Sequence, residues 1–98
     1  MQVGSLPLDD IARSVSIVEI ETKIYALVTI DDLGLEIIEV SDPENPVSVG
    51  SIDTNGKSMG VSTIEMGRII YALVADYNGG FKMIELSDPQ YPVLVGSV

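Results

Sequence analysis

The sequence has no cysteine, no histidine and no tryptophan. Without cysteine it can form no disulfide, and thiolate chemistry at a metal or a nucleophile is excluded. Without histidine it lacks the commonest general base and the commonest metal ligand. Basic residues are scarce too, 5 against 15 acids, which sets the net charge at −10. Nucleic acids and anionic membranes bind basic patches, so neither is an expected partner. No apolar run reaches the length of a membrane-spanning helix, and membrane insertion is not expected. The opening stretch MQVGSLPLDD has neither the basic start nor the apolar middle of a secretory signal. Any export signal of a longer parent is therefore expected outside this chain.

What the chain does contain is apolar and periodic. Hydrophobic residues make up 46% of an otherwise acidic sequence of 98 residues, so they must be concentrated in buried layers. A lone core of this size would be marginal. Val3-Gly4-Ser5 returns as Val49-Gly50-Ser51 and again as Val95-Gly96-Ser97, a spacing of 46 residues each time. At the same shift Tyr25-Ala26-Leu27-Val28 aligns with Tyr71-Ala72-Leu73-Val74, and Ser41-Asp42-Pro43 with Ser87-Asp88-Pro89. About two in five aligned positions are identical with no gap. The chain is thus one partial domain, 1–98, with a first repeat at 3–48, a second at 49–94 and the start of a third at 95–98.

Turn residues divide each repeat into four strands, expected at 12–20, 23–30, 35–40 and 47–52 and at 58–66, 69–75, 81–86 and 93–98. Proline closes the third strand of each repeat because it cannot donate to a ladder. Hairpin-length links impose antiparallel pairing, and an antiparallel sheet with one wet face should alternate apolar with polar. Ile24-Tyr25-Ala26-Leu27-Val28 and Ile69-Ile70-Tyr71-Ala72-Leu73-Val74-Ala75 do not alternate. Such strands require burial on both faces, and sheets stacked face to face provide it. The expected fold is all-β: two four-stranded antiparallel β-propeller blades, with the small residues Ser14, Ser16, Gly60 and Ser62 on the crowded innermost strands.

The stretch Tyr71–Asp76, then Gly79–Pro89, then Pro92–Ser97 resembles the LVIVD repeat, and Tyr25–Ser51 resembles it as well. Ser-Asp-Pro-x-x-Pro-Val is the most specific part of the match. Glu39 and Glu85 stand where that family often carries Asp, and Asp31-Asp32-Leu33 replaces its Gly-rich turn. The resemblance implies a propeller blade in bacterial or archaeal surface proteins, hence an extracellular or cell-surface location. It brings no catalytic residues with it.

Two blades do not close a ring, since propellers use about 4–8. Open faces and edges invite association. The ring is expected to be completed either by self-association, with a trimer (3 × 2 = 6 blades) favoured, or by further blades of a parent protein. The expected function is a non-enzymatic repeat module for protein interaction or cell-surface architecture. The alternative is a piece of a propeller enzyme, or of a ligand- or Ca²⁺-binding propeller, whose active residues lie in other blades.

Few residues suggest chemistry. Asp42-Pro43 and Asp88-Pro89 are expected to be structural turns, with the Asp accepting backbone N–H bonds. The loops entering the first strands and those joining second to third strands share one end of the sheets. They collect Asp9, Asp10, Asp31, Asp32, Asp53 and Asp76, with Asn55 and Asn78, as weak candidates for holding Ca²⁺ or a cationic ligand. Ordinary solvated turn residues explain the same pattern, and no cofactor is required. Glu19, Glu65, Glu39 and Glu85 recur because the repeat recurs, not as a catalytic carboxylate pair. Gly56-Lys57-Ser58 lacks the upstream glycine and the helix of a phosphate loop.

Overall fold

The hairpin-length punctuation and β-rich runs yield eight strands in a computed structural model, which describes residues 1–8, 10–54, 56–77 and 80–98. The strands are β1 (Ala12–Ile20), β2 (Lys23–Ile30), β3 (Gly34–Glu39), β4 (Val47–Ile52), β5 (Ser58–Met66), β6 (Ile69–Asp76), β7 (Gly80–Glu85) and β8 (Val93–Ser97). They form two four-stranded sheets in sequential order, β1-β2-β3-β4 and β5-β6-β7-β8, and every pairing is antiparallel. Among the described residues no helix is long and apolar enough to cross a membrane.

The third strand of each sheet starts one residue before its expected position, on Gly34 and Gly80. Both glycines have positive φ, 101° and 83°, and each pairs across the turn with the last residue of the preceding strand. Glycine adopts that conformation without the Cβ penalty, which lets the ladder run to the end of the turn. Val40 and Leu86, expected to end these strands, lie just beyond them. Their N–H groups still donate to the carbonyls of Ile24 and Ile70.

The repeat extends to irregularities. The innermost strands β1 and β5 are each bulged near their start, between Ala12 and Ser14 and between Ser58 and Gly60. The pairings of β3 with β4 and of β7 with β8 shift at Ile37/Ile38 and at Met83/Ile84. Bulges increase local twist, so both blades are twisted at matching places.

Alternate residues of β2 enter different cores. Tyr25 and Leu27 join Leu35 and Ile37 in a cluster with Ala72, Val74, Ile84 and Leu86 of the second sheet. Ala26, Val28 and Ile30 face the other way with Ile38, and Leu6, Leu8 and Val40 pack on them. The second strand of the first repeat is therefore buried on both faces, as its unbroken apolar run requires. Each fully buried Leu or Ile contributes roughly 1.5–3 kcal/mol relative to exposure. The inter-sheet cluster holds the two blades together.

Candidate functional site

The two sheets use their faces unequally. The face of the first sheet that carries Tyr25, Leu27, Leu35 and Ile37 is covered by the second sheet, and Leu27, Leu35 and Ile37 are fully buried. Forty-six residues on, the same face of the second sheet carries Tyr71, Leu73, Phe81 and Met83. None of these is buried, and Phe81 is 39% exposed. Ile64 and Met66 extend that open surface along β5. This surface repeats the residues of the first sheet's inter-sheet face and is uncovered in this structure.

Beside this side-chain core, the two repeats also meet backbone against backbone at one place. Gly50, in the middle of β4, lies so close to the Asp-Pro turn of the second repeat that an added Cβ would stand 2.1 Å from the Pro89 carbonyl oxygen. A Cβ added at Gly4 would stand at the same 2.1 Å from the Pro43 carbonyl oxygen. A Cβ added at Gly96, the third glycine of the series, would have Met83 Cβ as its nearest neighbour among the described residues, at 3.9 Å. A glycine inside a strand often marks such an approach. The Val-Gly-Ser recurrence carries that signal as well as the 46-residue period.

The turns that supply these carbonyls are organised by their aspartates. The Glu44 backbone N–H donates to Asp42 Oδ1 at 3.1 Å, and the Asn45 side chain to Asp42 Oδ2 at 2.9 Å. In the second repeat the Gln90 N–H donates to Asp88 Oδ1 at 3.0 Å. The Asn45 amide, followed by the Glu44 N–H, holds the Asp42 carboxyl below its ordinary range. A depressed folded-state pKa stabilises the fold above the unfolded-state value, and the contribution disappears as pH falls through the lower, folded value. Asp42→Ala is accordingly expected to lower the melting temperature slightly at about pH 7, with an effect that shrinks as pH falls below the ordinary carboxylate range, measured by circular dichroism.

The aspartate-rich end of the sheets divides into two groups. Asp10, Asp31 and Asp32 bring carboxylate oxygens within 4.8 Å of one another. Asp31 is buried, and its Oδ1 takes the Arg13 Nε at 3.3 Å. Asp53 is exposed. Asp9, Asn55 and Asn78 lie outside the described residues.

Asp76 stands apart from that cluster. It is the last residue of β6 and is 8% exposed. Its Oδ1 accepts from Thr54 Oγ1 and Ser58 Oγ, both at 3.1 Å, and the two hydroxyls are 2.9 Å apart. Asp76 Oδ2 is buried with no hydrogen-bond partner among the described residues. The positions equivalent to Thr54, Ser58 and Asp76 in the first repeat are Leu8, Ala12 and Ile30. The second repeat fills this corner with hydrogen bonds, whereas in the first Leu8 packs on the apolar cluster that holds Ile30 and Ala12 is exposed. Asp76→Ala would remove the carboxylate oxygen shared by two buried hydroxyls, which could then bond only to each other, and is expected to cost about 1–3 kcal/mol in urea denaturation. Thr54→Leu, Ser58→Ala and Asp76→Ile together transplant the apolar corner and should recover most of that loss.

Sheet order, the face-to-face core and the repeated inner bulges define a pair of propeller-like blades. The LVIVD repeat model matches residues 11–54 and 66–98, and the chain belongs to the LVIVD-repeat family. No curated protein and no solved structure matches the chain.

Proposed function

We propose that the chain is a non-enzymatic propeller module for protein interaction or cell-surface architecture, which self-associates through its open blade faces. The observation that carries this reading is the contrast between Leu27, Leu35 and Ile37, all fully buried, and their repeat-mates Leu73, Phe81 and Met83, none of them buried. An apolar blade face left in water favours association with a like surface. A ring of three copies, six blades, is favoured. The surface location rests on the family resemblance.

The test is mass in solution. Light scattering should return a multiple of 10.5 kDa, with the trimer predominating. A stable, folded monomer at high micromolar concentration would count against self-association and leave the open face to another protein's blade.

A further inference from the structure

Val3-Gly4-Ser5 belongs to no strand, yet it occupies a defined place. Gly4 contacts Pro43 of the first sheet as Gly50 contacts Pro89 of the second. Residues 49–51 are the paired outer strand of one blade lying against the turn of the next. Residues 3–5 take that same position against the first blade without pairing in a ladder among the described residues. The third Val-Gly-Ser, residues 95–97, is the converse: β8 is paired in its sheet, and Gly96 has no proline carbonyl against it.

We infer that the open face of the second repeat docks head to tail on the first repeat of a second copy, with Gly96 of one copy displacing Gly4 of the other from the Pro43 carbonyl. This rests on the self-association proposed above and assigns its register. The occupant follows from continuity with the interface already present. The junction within the chain joins the Tyr25/Leu27 face of one sheet to the Ala72/Val74 face of the next. The uncovered equivalent of the first face is Tyr71/Leu73, both half-buried, and the equivalent of the second is Ala26/Val28. Leu6 and Leu8 now pack on the latter. Of the two proline carbonyls, Pro89 is taken by Gly50, whose strand is fixed in a ladder. Among the described residues Pro43 is met by a segment that pairs in no ladder, so it is the one that an incoming strand can claim. Residues 3–6 thus act as a removable plug that competes with assembly.

The plug and the incoming strand can be altered separately. Gly96→Ala puts its Cβ in ordinary contact with Met83 in the lone chain, whereas in the docked complex the same Cβ would strike a backbone oxygen that cannot turn aside. Gly4→Ala instead pushes the plug off its own turn. Sedimentation equilibrium of the full-length chain in about 0.5 M sodium chloride, where repulsion between acidic copies is screened, should show Gly96→Ala weakening association at least tenfold. Gly4→Ala should strengthen it several-fold. Association by Gly4→Ala alone, with the unaltered chain monomeric, supports the plug equally.

Association of the unaltered chain with no response to either glycine overturns this register but leaves self-association standing. Monomers for both the unaltered chain and Gly4→Ala overturn both. Should Gly96→Ala lose its cooperative melt, Phe81→Ser on the open face decides instead: a tenfold loss supports the docking and no change overturns it.

Discussion

Gly50→Ala is expected to destabilise the folded chain by about 2–3 kcal/mol, the upper part of the range for forcing atoms into a packed site. The Cβ would lie 2.1 Å from the Pro89 carbonyl oxygen, with the Pro89 and Gln90 carbonyl carbons at 3.2 and 3.3 Å. All three are backbone atoms, so no rotamer change relieves the overlap. The turn itself resists movement because Asp88 Oδ1 holds the Gln90 N–H and the Asp88 carbonyl holds the Tyr91 N–H. Relief must come from separating the sheets, which loosens the cluster of Leu27, Ile37, Val74 and Leu86. Gly60→Ala is the control, since nothing lies within 4 Å of its added Cβ; it should be close to neutral. Urea midpoints at unchanged slope measure both. Equal midpoints for the two variants would mean that the glycine contact does not hold the blades.

Leu27→Ala and Leu73→Ala remove the same side chain from equivalent positions and should differ widely in cost. Leu27 is fully buried between the sheets, and its truncation leaves a cavity, for which the expected loss is about 3–5 kcal/mol. Leu73 is half-buried on the uncovered face, and its loss should be about half as large or less in dilute solution. Denaturation followed across a range of protein concentrations adds a second dimension. A partner that binds only the folded chain stabilises it by mass action, so the cost of Leu73→Ala should grow with concentration while that of Leu27→Ala stays high throughout. Identical costs at every concentration would show that the two faces are covered alike.

Strand positions were legible in the sequence because three independent cues agreed: the 46-residue period, the turn residues and the unbroken apolar runs. Burial on both faces of β2 followed from Tyr25-Ala26-Leu27-Val28 alone. The pairing of faces was not legible, because period-2 alternation separates Leu27 from Val28 without saying which one meets the next sheet. The candidate site was harder still. Six aspartates looked alike in sequence, but Asp31 is buried beside an arginine and Asp76 lies beneath two hydroxyls. Their partners Arg13, Thr54 and Ser58 lie 18, 22 and 18 residues away, and only the sheet brings them into contact. The contrast of Asp76 with Ile30 was visible as a substitution between repeats. Its meaning required the matching change of Leu8 to Thr54.

That paired change bears on how a chain with two near-copies of one sequence avoids joining the wrong parts. If the connector at 49–54 settled over the first sheet during folding, Thr54 would meet Ile30 and its hydroxyl would lose its acceptor. If residues 3–8 settled over the second, Leu8 would press against the carboxylate of Asp76, and an uncompensated buried charge is among the costliest defects a protein can carry. Each connector is thereby matched to one sheet, and the order of the units is written into a single corner of each.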